Sequence, residues 1–267
     1  MKYLIICLYV LWIINIGTYI YHRAKINGKA KLKLKRPVED GGIMTYCLPG
    51  MKSTPEMAFR FQERASIHEK NFIVGGITYV AYENSGFDAR TIANQIIKDI
   101  REHDYQPVII SVSVGDQIAR YVEQEIDNLS IIAINPATNV DCLKDEVVFK
   151  LTIAEFFKNI FLALVGWIGL LPVIRTDGRS HQSPSLANDM KNCLAKSNLQ
   201  VTTNATKVIV LSMYDEILDN SSVRSEFGHI NGLKIALVDT EHANLSIGGI
   251  LYRDRIGNLI KNIYNTP

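Results

Sequence analysis

Four continuous apolar runs, rich in β-branched residues, constrain this chain most: PVIIS (residues 107–111), LSIIAI (129–134), VIVLS (208–212) and LKIALV (233–238). A strand with one face in water alternates apolar and polar residues, because successive side chains point to opposite faces. A strand covered on both faces does not alternate, and such strands belong to parallel sheets flanked by helices. The intervening segments carry a helical period. Residues 88–103 place Ile92, Ile96, Ile97 and Ile100 on one face, with Asp88 as the N-cap. A helix is expected over 115–126, another over 55–70, and a last one through Leu251, Ile256, Leu259, Ile260 and Ile263. Two earlier runs, IMTYCL (43–48) and FIVGGITYVAY (72–82), supply further strands. This alternation predicts an α/β fold with a mostly parallel, doubly wound sheet. With 267 residues, the chain can bury one full-sized core.

The alternation breaks over about 141–206, which reads as an inserted helical cap. Its apolar stretch, 153–174, is interrupted by Lys158 and ended by Pro172, so a cap helix is expected there rather than a second membrane span. His181, Pro184 and SLANDMKNCLAK form its second half.

The chemistry centres on PVIISVSVGDQIAR (107–120), where an apolar strand runs straight into a helix through Ser111-Val112-Ser113-Val114-Gly115. A nucleophile carried on such a sharp turn needs small residues two before and two after it, because the backbones come close. Ser111 and Gly115 meet that need, and Ser113 is the candidate nucleophile. Ser111 is a rival serine, but it should still lie in the strand. A plain helix N-cap serine gives the same five-residue pattern.

A serine hydroxyl needs a general base, and that base needs a carboxylate to orient it. The strand VIVLS is followed by Asp215, and the strand LKIALV by His242. Both belong at the carboxyl edge of the sheet, where ligands of open α/β sheets gather. Glu216 and Asp219 are alternative acids; the other histidines lie in less suitable settings.

From Gly41 to the C-terminus the sequence resembles the α/β-hydrolase family: the order Ser, Asp, His, the insertion after LSIIAI, and an Asp-x-Ile-Leu turn before the last strand. The resemblance implies Ser113 as nucleophile, His242 as base and Asp215 as acid. The turn Leu48-Pro49-Gly50-Met51 is similar to the family's His-Gly-x loop, which implies an oxyanion hole from the Met51 and Val114 N–H groups. Pro49 stands where that loop usually has His, and Ser111 where the elbow usually has Gly. The implied activity is cleavage of an ester or thioester through an acyl-enzyme, and the apolar cap and N-terminal anchor favour a lipid-like or acyl small-molecule substrate. A catalytically inactive ligand- or partner-binding relative is the alternative, and acyl transfer to an alcohol or amine a third reading.

The N-terminus carries a separate expectation. Residues 3–21, YLIICLYVLWIINIGTYIY, contain no charge and match the length of a spanning helix. A transmembrane signal-anchor is therefore expected over 1–22, with a cleaved secretory signal and a buried core helix as the alternatives; a basic linker is expected over 23–40 and the catalytic domain over 41–267. The linker holds Arg23, Lys25, Lys29, Lys31, Lys33, Lys35 and Arg36. On its own such a run suggests nucleic acid; beside an apolar helix it reads as a membrane flank. By the positive-inside rule it points to a cytoplasmic catalytic domain, with a secreted domain held by the anchor as the alternative. The net charge of +2 gives no reason to expect a nucleic-acid partner. No metal-ligand spacing and no phosphate loop occurs, so no cofactor is expected. Of the four cysteines, only Cys142 and Cys193 are candidates for pairing.

Overall fold

The structure is a computed structural model that describes residues 3–10, 12–14, 31–36, 43–48, 50, 75–81, 87–104, 106–146, 186–195, 199, 206–230 and 233–242. The expected helices at 55–70 and 251–263, the apolar stretch 153–174, and Pro49 and Met51 lie outside the described residues. So does most of the cap.

The described strands are β1 (Lys31–Arg36), β2 (Ile43–Leu48), β3 (Gly75–Ala81), β4 (Gln106–Val112), β5 (Ser130–Ile134), β6 (Thr206–Tyr214) and β7 (Lys234–Glu241). Among the described residues they form one sheet in the order β1-β3-β2-β4-β5-β6-β7. β1 runs antiparallel to β3, and every other neighbouring pair is parallel. The connections wind in opposite directions from β2 and β4, so a crevice opens beyond the carboxyl ends of these two central strands. The doubly wound sheet expected from the sequence is present. It has one strand more than expected: β1 occupies part of the expected linker 23–40. A lysine-rich KLKLKR run suits an edge strand, where charge discourages pairing with another chain.

Among the described residues the α-helices between strands are α1 (Ala89–Glu102), α2 (Asp116–Glu123), α3 (Leu186–Ala195) and α4 (Asn220–Phe227). Asp88 caps α1 by accepting from the Arg90 and Thr91 N–H groups. The helix buries Ile92, Ile96, Ile97 and Ile100, the stripe its sequence predicts. β4 is buried at every position after Gln106, and β5 at every position after Ser130. Each buried Ile or Val of this layer contributes about 1.5–3 kcal/mol relative to an exposed one. From the insertion, α3 sends Leu194 into this core. All four cysteines are free, including Cys142 and Cys193, so the one candidate disulfide is absent.

α2 lies within the expected helix 115–126 and carries buried charge. Arg120 and Glu123 are 2% and 1% exposed. Arg120 Nε donates to Asp116 Oδ2 at 3.0 Å, and its Nη1 donates to Glu226 Oε1 at 2.8 Å and to the Leu199 carbonyl at 2.9 Å. Its guanidinium also lies over the Phe227 ring. Burial pulls its pKa down, but Asp116 and Glu226 together outweigh that and hold it above its ordinary value. Lys207 of β6 pairs with Glu123 at 2.7 Å.

At the N-terminus, residues 3–10 and 12–14 are helical, with side chains such as Tyr3, Leu4, Trp12 and Ile13 exposed. No helix among the described residues is long and apolar enough to cross a membrane. Residues 1, 2, 11 and 15–22 of the expected anchor lie outside them.

Candidate active site

Three of the expected site residues each directly follow a parallel strand: Ser113 after β4, Asp215 after β6 and His242 after β7. They therefore share the carboxyl edge of the sheet.

Ser113 sits where β4 gives way to a 3-10 turn, Ser113–Gly115, which leads into α2. Its φ is 51°, a left-handed conformation that a non-glycine residue rarely adopts. Such strain recurs where a side chain is held out for chemistry. Two glycines explain how the turn fits. A Cβ on Gly115 would stand 2.6 Å from the Leu48 carbonyl oxygen, and one on Gly50 would stand 3.0 Å from Ser113 Cβ. Leu48 and Gly50 thus pack against the serine turn: at Gly115 any side chain would force the Leu48 carbonyl to shift, and at Gly50 the fit is tight. The Ser113 carbonyl accepts from the Ala137 N–H at 3.1 Å, which ties the turn to the end of β5. Val114 lies in the first turn, where backbone N–H groups lack partners within the helix.

Ser111 is fully buried within β4, and its hydroxyl donates to Asp116 Oδ1 at 3.2 Å. That places it within the strand and in the charge network of α2. A glycine here would leave Asp116 one hydrogen bond short.

Asp215 is buried in the turn after β6. Its Oδ1 accepts from the Ile217 and Leu218 N–H groups at 2.9 and 2.7 Å, and its Oδ2 lies 2.8 Å from His242 Nδ1. A carboxylate only accepts, so the ring donates from Nδ1 and turns Nε2 the other way. Lys144 donates to the Asp215 carbonyl, and its own N–H bonds the Ile217 carbonyl at 3.0 Å. The first residues of the insertion therefore brace the acid turn.

The alternative acids have other tasks. Asp219 caps α4, accepting from the Ser221 and Ser222 side chains and N–H groups. Those bonds, the Ser222 hydroxyl first, pull its pKa down to about 2. Glu216 accepts the backbone N–H of His242 at 2.7 Å. Among the described residues no hydrogen bond joins Ser113 to His242. Such contacts are often long before substrate binds. Burial raises the pKa of the Cys47 and Cys142 thiols, which disfavours the thiolate a cysteine nucleophile needs. No group of metal-binding side chains occurs among the described residues.

Reading the sequence did not anticipate Arg120, Glu226, Lys207 or the pair Asn135 and Ser212. Asn135 Nδ2 donates to Ser212 Oγ at 2.8 Å, and the Ser212 N–H donates to Asn135 Oδ1 at 2.8 Å. Asn135, at φ 44°, directly follows β5, so this pair joins the ends of β5 and β6. The one available signal was its place just after an apolar strand.

No protein-family model matches the chain, and no curated protein matches it by sequence. Solved structures match it widely, with 580 chains similar. A marine microorganism esterase aligns with a TM-score of 0.57 at 10% identity, over 88% of this chain and 99% of its own. The enol-lactonase from Burkholderia xenovorans LB400 aligns at 0.56 and 11% identity, over 89% of this chain and 97% of its own. The type II thioesterase BorB of the borrelidin biosynthetic cluster aligns at 0.53 and 14% identity, over 88% and 96%. The chain has the α/β-hydrolase fold.

Proposed function

We propose that this chain is a serine hydrolase that cleaves an ester or thioester through Ser113, His242 and Asp215. The observation that carries the reading is the arrangement at the carboxyl edge. A strained, buried serine follows one central strand, and a histidine bonded to a buried aspartate follows two others. A binding site has no need of a serine at φ 51° together with an oriented imidazole.

In this reading His242 Nε2 takes the Ser113 proton as the hydroxyl oxygen attacks the acyl carbonyl. Asp215 stabilises the imidazolium that forms. The oxyanion rests on the Val114 N–H and the Met51 N–H, each donor worth about 3–4 kcal/mol in the transition state. His242 then returns the proton to the leaving group. Water, activated by the same histidine, releases the acyl-enzyme. The Ser113–His242 contact closes when substrate binds. The esterase, enol-lactonase and thioesterase among the similar structures make esters, lactones and thioesters the first bonds to test.

The apolar N-terminal helix, with the basic run after it, supports a membrane-held enzyme that works on lipid-like acyl groups from the cytoplasmic side. Its exposed Leu4, Ile5, Ile13 and Trp12 are the side chains a bilayer would cover.

The deciding experiment is labelling with a fluorophosphonate probe, wild type beside Ser113→Ala. Wild type is expected to label and Ser113→Ala not to. A well-folded wild type that resists the probe would turn the site into a binding pocket, and a labelled Ser113→Ala would move the nucleophile elsewhere.

A further inference from the structure

We infer that Glu216 is a positioning residue, holding the main chain of His242 while Asp215 holds its ring. This deepens the serine-hydrolase reading and rests on it for the consequence in rate.

The need arises in the sheet. β6 and β7 pair in regular register from Val208↔Lys234 to Ser212↔Val238, then slip so that Tyr214 faces Glu241. β7 thus gains one residue against β6 just before the histidine. A bulge of this kind re-aims the chain and takes backbone groups off the ladder. The peptide joining Glu241 to His242 is then gripped by side chains. Its carbonyl accepts from Ser212 Oγ at 3.2 Å, and its N–H donates to Glu216 Oε2 at 2.7 Å. Ser212 is itself fixed by the paired bonds to Asn135.

Two adjacent carboxylates in one turn thereby set both ends of the same residue. Asp215 fixes the direction of the imidazole, and Glu216 fixes where its backbone starts. A base must stand within hydrogen-bond reach of the proton it takes, so a small shift of that backbone is felt at the far ring nitrogen. Ser212 is buried, and replacing it would disturb the core. Glu216 is exposed, so it can be replaced with little effect on stability.

The experiment compares Glu216→Ala with Glu216→Gln, using hydrolysis of a short p-nitrophenyl ester and the rate of fluorophosphonate labelling. Glutamine keeps an acceptor oxygen for the His242 N–H, and alanine does not. Glu216→Ala is expected to lower kcat and the labelling rate about 10-fold with KM changed by less than about 2-fold, while Glu216→Gln stays within about 2-fold of wild type. A folded Glu216→Ala with wild-type kcat overturns the inference, and so does a Glu216→Gln as impaired as the alanine variant.

A second measurement does not depend on activity. The far-downfield proton of the His242–Asp215 hydrogen bond, read by NMR, should persist in wild type, Glu216→Gln and Ser113→Ala, and broaden or vanish in Glu216→Ala. An unchanged signal in Glu216→Ala sinks the positioning role. A signal that behaves as expected in a protein the probe never labels sinks the serine-hydrolase reading alone.

Discussion

The two arms of the site are held by different physics. Ser113 directly follows β4, an interior strand buried at all but its first residue. Its turn is shaped by close backbone packing at Gly50 and Gly115 and by the buried ion network beneath it. His242 directly follows β7, where only Val238 and Thr240 are buried and Leu237 is 46% exposed. There hydrogen bonds from Asp215, Glu216 and Ser212 supply the precision that packing supplies to the serine. The serine turn should therefore be hard to disturb without loosening the fold, and the histidine easy to misplace in a fold that stays intact.

The largest expected effect tests the second half of that contrast. In Asp215→Asn an oxygen still accepts from the Ile217 and Leu218 N–H groups, but the other amide group cannot accept from His242 Nδ1. Under the proposed mechanism, steady-state kinetics on an ester should show kcat down about 10⁴-fold. Thermal unfolding should change little. Unfolding on the same scale as the rate loss would break the comparison.

On the serine arm the order reverses, and stability should move first. Arg120→Met removes the partner of Asp116 and Glu226 and leaves carboxylates beneath the serine turn without it, a cost of about 3–5 kcal/mol in a urea titration. Gly115→Ala forces the Leu48 carbonyl away, costing about 1–3 kcal/mol and slowing probe labelling of Ser113. If either variant keeps full stability while losing labelling, the serine arm is no stiffer than the histidine arm.

The smallest effect lies at Asp219, which caps α4 behind the acid turn. Its folded pKa of about 2 lies below the ordinary 3.8, so it stabilises the native state above the higher value and loses that contribution as pH falls toward the lower. Wild type should therefore lead Asp219→Asn in unfolding midpoint at about pH 5, and the lead should close as pH falls from about 4 to 2. A lead that persists at the acid end would mean that the carboxylate charge is not what caps the helix.

The β4 and β5 strands, the α1 stripe and the serine turn were legible because each is local. Burial on two faces writes a continuous apolar run, a buried helix face writes a 3.6-residue period, and a tight turn demands small residues at fixed offsets. β1 was read as linker because a lysine at alternate positions looks like a solvated tail until a partner strand is known. The cysteines offered a pairing by elimination, and the fold leaves both as thiols.

By itself the sequence determined the alternating α/β architecture, the turn that carries Ser113, and the order in which serine, aspartate and histidine arrive. The architecture and the turn follow from periodicity and spacing within a dozen residues, and the order is read along the chain from Ser113 through Asp215 to His242. Only the tertiary structure decided which acid faces His242, what Glu216 and Asp219 do instead, and that Arg120 and Lys207 are buried. Arg120 meets Glu226 across 106 residues and Lys207 meets Glu123 across 84. Whether a charge faces water or a distant partner depends on which segments pack together, and no local pattern carries that information. The same holds for the one-residue slip between β6 and β7, which sets where His242 stands.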